Sequence, residues 1–138
     1  MTTAAHDRLG YDPADLDDIP GTTIFTTAAS RRAYQLHRFC MSLMKPENRA
    51  AFKADEGAWL DRFAMTAAQR QGVLDRDFNR LIATGGNIYF LVKIASTDGW
   101  SAQRAVSTMT GLSPEDYAAM MVAGGRPPEG NRSIKGGY

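Results

Sequence analysis

Histidine and cysteine are scarce in this chain of 138 residues. Cys40 is the single cysteine, so no internal disulfide can form, and the histidines are His6 and His37. Zinc and non-haem iron sites need several converging ligands, mostly His, Cys and carboxylates. Two separated histidines outside any H-x-x-x-H or H-x-x-E pattern do not supply such a set. We therefore predict no catalytic and no metal-binding residues on this chain.

The chain also lacks a strong net charge, long apolar runs and nucleotide-binding motifs. Its 16 basic residues nearly balance 15 acidic ones, so no global field attracts nucleic acid or an anionic membrane. No apolar run approaches a membrane span, and residues 1–10 lack the apolar core of a signal peptide. No Walker, Rossmann or G-x-S-x-G pattern occurs. We expect a cytoplasmic protein that binds neither nucleic acid nor membrane.

Apolar residues recur at helical spacing, and no β-branched alternation persists. The clearest stripe, with spacings of three and four, is Ala33, Leu36, Cys40, Leu43 and Met44. This spacing places Cys40 in a core rather than at a reactive site. Helices are predicted over 28–45, over 47–63 with a break near Gly57, from Thr66 to Gly85–Gly86, over 87–97, from Ser101, and from Ser113 to Gly124–Gly125. We predict an all-α, multihelical single domain with extended N- and C-terminal arms.

Capping residues support these helix boundaries. Thr66 with Gln69 is typical of a capping box, in which each residue satisfies a backbone N–H of the other. Thr26 or Thr27 can cap the first helix, and Pro46 ends it or begins the next. His37 flanks the apolar stripe of the first helix. We interpret it as a residue of the polar face rather than a ligand.

The two ends of the chain carry distinctive sequence. Residues 17–25 read DDIPGTTIF, and residues 124–138 read GGRPPEGNRSIKGGY. Five glycines and two prolines exclude a helix or strand through the second segment. Such segments need a surface to hold them, either their own domain or another protein. We divide the chain into a polar leader, 1–16, with the composition of a mobile segment, and a helical domain, 17–138, with an extended Gly-rich tail.

Six runs of sequence together point to a known family. They are DDIPGT-x-x-F (17–25), F-x-MSLMK-x-ENR-x-x-FKADE (39–56), GGN-x-YFL-x-K (85–93), STDG (96–99), a displaced SMTG (107–111) and GGR-x-P-x-G-x-RSIKGGY (124–138). Long ungapped runs such as RSIKGGY are far more specific than short degenerate motifs. The chain resembles the alpha (small) subunit of protocatechuate 4,5-dioxygenase, a two-subunit extradiol enzyme. The resemblance begins at residue 17.

This resemblance implies a subunit without its own chemistry. In the family, the large beta subunit binds Fe(II) through two histidines and a glutamate, and it supplies the acid–base histidine. The alpha subunit caps the active-site cleft of an α2β2 heterotetramer. We expect this chain to be inactive alone, to exclude water and to shape the pocket for 4,5-cleavage of a dihydroxylated aromatic acid. The acid itself, protocatechuate, gallate or a methoxylated relative, stays open.

The resemblance also implies candidate site residues. In relatives the STDG turn continues as Lys-Ser-Phe, with the phenylalanine over the substrate pocket, whereas this chain has Trp100, Ser101 and Ala102. We expect a lid in which Ala102 leaves extra room above the ring and Trp100 partly closes the cleft from the side. The residues expected to bind the beta subunit are Ile19, Pro20, Ile24, Phe25, Ile134 and Tyr138.

Two other functions remain open from the sequence. A free-standing helical adaptor needs no catalytic groups and could use the same arms. A nucleic-acid module could use Arg126, Arg132 and Lys135 as phosphate contacts, although these cations are few and have no interleaved aromatics. Co-purification with a larger iron-containing chain would distinguish the dioxygenase from both.

Overall fold

The computed structural model describes residues 13–126 and residue 134, and within them all regular structure is helical. A 3₁₀ helix, Pro13–Asp18, is followed by α1 (Thr27–Arg32), α2 (Tyr34–Ser42), α3 (Pro46–Ala54), α4 (Glu56–Leu60), α5 (Ala67–Leu74), α6 (Phe78–Ala83), α7 (Ile88–Thr97), α8 (Ala102–Thr110) and α9 (Pro114–Val122). The predicted all-α class is confirmed for this part of the chain. None of these helices has the length and apolar character needed to cross a membrane.

The chain forms two compact units, one of residues 25–119 and one containing the described residues before and after that range. The predicted division at residue 17 stays a prediction, because residues 1–12, 127–133 and 135–138 lie outside the described residues. The α-helices are only five to ten residues long. Isolated helices shorter than about 12–15 residues are marginal in water, so these depend on tertiary packing.

The unit of residues 25–119 is built around one apolar core. Its buried members are Ala33, Leu36, Phe39, Cys40, Leu43, Phe52, Leu60, Val73, Phe78, Leu81, Leu91, Ile94, Ala95 and Ala105. Cys40 is fully buried, and burial raises the pKa of its thiol to about 12. The prediction that Cys40 is a core residue rather than a reactive thiol is confirmed.

The predicted first helix is two helices, α1 and α2, because the chain turns at Ala33. Buried Gln69 accounts for the turn: its Nε2 donates to the carbonyls of Arg32 and Thr84, both at 3.0 Å. Its Oε1 accepts the Thr66 N–H at 3.0 Å, and the predicted capping box is confirmed. One side chain therefore begins α5 and binds the carbonyl at the end of α1. Residues far apart in sequence make this contact, so local pattern does not predict it.

Other helix boundaries follow local chemistry. Thr26 caps α1 and Pro46 begins α3, as predicted. The break predicted near Gly57 lies instead at Asp55, whose Oδ1 accepts the Ala58 N–H at 3.1 Å. Aspartate competes for nearby backbone N–H groups in this way, and it therefore separates α3 from α4.

The predicted long helix after the capping box is also two helices, α5 and α6. Arg76 has a φ of +52° in the turn between them, a left-handed conformation that normally selects glycine. The Arg76 N–H donates to the Val73 carbonyl at 3.1 Å, and the Asp77 N–H donates to the Gly72 carbonyl at 2.9 Å. This pair of bonds defines a Schellman motif. No glycine or proline occurs in this turn, so the sequence pattern does not predict that the helix ends there.

The side chain of Arg76 joins four helical elements. Its Nε donates to Asp98 Oδ2 at 2.6 Å at the end of α7, and its Nη2 binds Glu56 in α4. Its Nη1 donates to the Val73 carbonyl at 2.6 Å, and its guanidinium lies 5.5 Å from the Phe52 ring centroid in α3. Burial lowers the pKa of the guanidinium, but hydrogen bonds and charges of Asp98 and Glu56 outweigh it and raise the pKa.

Two glycines end α6, as predicted, and allow the chain to pack closely. Gly85 has a φ of +104°, and a Cβ there would lie 2.7 Å from the Ala29 carbonyl oxygen. A Cβ on Gly86 would lie 2.7 Å from the Leu81 carbonyl oxygen. Contacts this short exclude any side chain, so the turn before α7 lies directly against α1.

Substituting Arg76 separates its backbone cost from its ionic contribution. Arg76→Ala should lower the free energy of unfolding by about 2–4 kcal/mol, because two partly buried carboxylates lose their cation. Arg76→Gly should be about 1 kcal/mol less destabilising, because glycine adopts the left-handed backbone without steric cost. Urea unfolding followed by circular dichroism measures both. A glycine variant no more stable than the alanine variant would contradict this account.

Candidate functional site

The predicted lid residues lie at a hydrogen-bonded turn between α7 and α8. Gly99 has a φ of +77°, and the Trp100 N–H donates to the Ala95 carbonyl at 2.9 Å, as in a Schellman motif. The Ser101 hydroxyl then accepts the Arg104 N–H at 3.1 Å and caps α8. Hydrogen bonds on both sides therefore determine the backbone of this turn.

The lid turn places its aromatic residue inward and its small residues outward. Trp100 is half-buried and packs against the core, with the Arg104 guanidinium carbon 4.4 Å from its ring centroid. Ser101 and Ala102 are exposed. Asp98, which precedes the turn, is the residue held by Arg76. The turn thus exposes Ser101 and Ala102 next to the Arg76–Asp98 ion pair, and its assignment as a lid stays a prediction.

An open cleft of about 910 Å³ lies at the other end of α7 in the same unit. Trp59, Phe63 and Phe90 are half-buried in its lining. Phe90 is near the start of α7 and Trp100 follows its end. A ten-residue helix spans about 15 Å, so the cleft and the lid turn are separate surfaces.

His37 is buried in the wall of this cleft. Its Nε2 accepts the Asn87 N–H at 2.9 Å, and its ring stacks on Phe90 with centroids 4.3 Å apart. Accepting through Nε2 requires the neutral tautomer with the proton on Nδ1. Burial lowers the pKa of His37 below its ordinary value. The predicted polar-face position is therefore wrong, because the imidazole satisfies a backbone N–H at the start of α7.

Other cleft residues were missed or misplaced by the sequence pattern. Met44 was expected on the buried stripe, but it is 59% exposed. The reason is that α2 ends at Ser42, so Met44 lies in the following turn and leaves the helical face. Tyr34 and Met41 are also exposed and line the cleft. The sequence did contain a sign of this surface, because Tyr34 and Met41 are large apolar residues that lie outside the predicted buried stripe.

Phe25 is a predicted partner-binding residue that the structure places in the cleft. Its side chain is 44% exposed, and its ring centroid lies 6.0 Å from that of His37. It begins the unit of residues 25–119 and ends the distinctive run 17–25. The last residue of that run therefore lines the cleft.

The other predicted contact residues are Ile19, Pro20, Ile24, Ile134 and Tyr138, all in the second unit. Within the second unit, the Thr22 N–H donates to the Ile19 carbonyl at 3.2 Å and forms a turn. Ile24 and Ile134 are exposed. Tyr138 lies outside the described residues. Partner binding by these residues stays a prediction.

The described residues do not bring together a metal site. Within residues 13–126, no three His, Cys, Asp or Glu side chains converge as metal ligands would. His37 uses Nε2 for a backbone N–H, and Cys40 is enclosed in the core. This donor set does not fit an iron centre.

The chain is similar to a known protein family. A family model described as the LigA subunit of the aromatic-ring-opening dioxygenase LigAB matches residues 36–122, well over half of the chain. The match runs from α2 to α9 and includes the lid turn, Arg76 and most of the cleft. It confirms the resemblance drawn from the sequence runs.

Stability should depend on the protonation of His37. Because its folded-state pKa lies below the ordinary value of 6.5, the unfolded chain binds more protons at His37 as pH falls through that value. Stability therefore decreases with falling pH in this window. His37→Gln keeps an acceptor for the Asn87 N–H but does not titrate. Urea unfolding between roughly pH 7 and pH 5 should show a shallower loss in the variant. Parallel losses would contradict the assignment.

Proposed function

The chain belongs to the family of the LigA subunit of the aromatic-ring-opening dioxygenase LigAB, and we propose that it caps the active site of a catalytic large subunit. The family match over residues 36–122 carries this proposal. The family description names LigA as one subunit of LigAB, which implies a partner subunit. In our proposal the partner holds Fe(II), the assembly is α2β2, and the substrate is a dihydroxylated aromatic acid.

The proposed division of labour agrees with the donor groups on this chain. His37 and Cys40 are both committed to packing and backbone contacts, and the described residues assemble no metal ligand set. Iron on the large subunit would supply the oxygen chemistry. This chain would contribute by excluding water and by positioning groups over the ring, which strengthens electrostatic interactions inside the closed site.

The turn formed by Trp100, Ser101 and Ala102 is suited to that capping role. Backbone hydrogen bonds hold it, and Arg76 anchors the preceding Asp98. A lid that excludes water must keep its shape when the partner binds, and a prearranged turn reduces the entropy lost on ordering. Exposed Ser101 and Ala102 form the surface that would face the substrate pocket in this proposal.

The first test of this function is activity with and without the partner. The purified chain should consume no oxygen with protocatechuate, because it provides no metal ligands in the described residues. Adding it to an iron-loaded large subunit should raise kcat/KM for ring opening, measured as oxygen uptake. Iron-dependent turnover by the isolated chain would contradict the non-catalytic assignment. Equal activity of the large subunit with and without this chain would contradict the capping role.

Ala102→Phe tests the lid assignment in the assembled complex. Phenylalanine at this position would fill space above the ring, so kcat/KM for a ring-methoxylated acid should fall relative to that for protocatechuate. Gln103→Phe is the matched control, because the next helical residue is also exposed but points about 100° away around α8. If both variants leave the substrate ratio unchanged, residue 102 does not line the pocket.

A further inference from the structure

The cleft gathers exposed apolar side chains in one place. Phe25, Tyr34, Met41 and Met44 all line it, and their exposures range from 44% to 61%. Single exposed apolar residues are ordinary on a protein surface, but several around one cleft indicate a binding surface. Methionines are flexible and adapt to the shape of a partner, and tyrosine is enriched in interface cores.

Cations also line this cleft. Of the residues that the structure describes, Arg38, Lys45 and Arg62 line it, and neither Asp nor Glu does. None of the three forms an ion pair within residues 13–126. The Arg62 guanidinium carbon lies 4.4 Å from the Trp59 ring centroid, a cation–π contact that orients the group. The cleft is therefore complementary to an anionic partner.

We propose that this cleft is the docking site for an acidic segment of the large subunit that carries an exposed apolar side chain. The inference rests on the proposed function and names the surface that holds the two subunits together. The cations would pair with the acidic groups, and the aromatic lining would bury the apolar side chain. Tyr, Trp and Arg, the residues that most often dominate binding energy, all occur here.

The open shape of the cleft favours a protein segment over a small ligand. Small-molecule sites bury most of the ligand surface. Here Tyr34 and Met44 remain about 60% exposed and leave the cleft broad. Phe25, the last residue of the run 17–25, is part of this docking surface.

Charge reversal in the cleft tests the proposal. Arg62→Glu in the full chain should weaken binding to the purified large subunit by on the order of tenfold or more. Lys53→Glu is the control, because it makes the same charge change at an exposed residue outside the cleft lining. Biolayer interferometry gives the Kd values, and circular dichroism verifies that both variants fold. Added salt should weaken wild-type binding more than Arg62→Glu binding.

A second pair of variants tests the apolar component. Met44→Gln should also weaken binding, whereas Leu112→Gln, at an exposed residue outside the cleft lining, should not. If wild type binds and the cleft variants bind as tightly as their controls, the docking assignment fails while the proposed function stands. If wild type forms no complex, both fail. If protocatechuate quenches the tryptophan fluorescence of the isolated chain but not that of a Trp59→Phe variant, and the cleft variants keep their subunit affinity, the cleft would be reassigned to a small ligand.

Discussion

Arg76 is the contact on which the arrangement of the 25–119 unit depends. One guanidinium binds the end of α5, Glu56 in α4 and Asp98 at the end of α7, and it lies near Phe52 in α3. Its left-handed backbone turns the chain between α5 and α6. Because Asp98 precedes the lid turn, the position of that turn also depends on Arg76. A core contact and a candidate functional surface thus share one ionic network.

In two further places, a buried polar side chain forms hydrogen bonds with backbone groups at the ends of short helices. Gln69 binds carbonyls at the ends of α1 and α6, and His37 accepts a backbone N–H at the start of α7. Helices this short leave a large fraction of their backbone groups without intrahelical partners. Each of these buried side chains satisfies such groups on a helix distant in sequence. The same side chains therefore both pack the core and satisfy backbone groups, and His37, at the contact between α2 and α7, also forms part of the cleft wall.

In the proposed complex, the docking cleft and the capping turn lie near opposite ends of α7. The cleft near its first turn offers cations and exposed apolar residues for docking, and the turn after its last residue offers the lid about 15 Å away. A rigid helix between them would transmit the docked orientation to the lid without a hinge. Substitutions in the cleft would then change subunit affinity, and substitutions at Ala102 would change substrate preference.

The sequence alone determined the helical class, the family and those helix starts that depend on a local cap, such as Thr26, Thr66 and Ser101. Each capping side chain accepts a backbone N–H three residues later, so a few consecutive residues are enough to predict the helix start. Tertiary structure decided the turns at Ala33 and Arg76, the burial of His37 and the exposure of Met44. The turn at Ala33 and the burial of His37 depend on partners 37 and 50 residues away along the chain. Helical periodicity describes one face of one helix. It contains no information about which distant side chain will bind that helix's last carbonyl or first N–H.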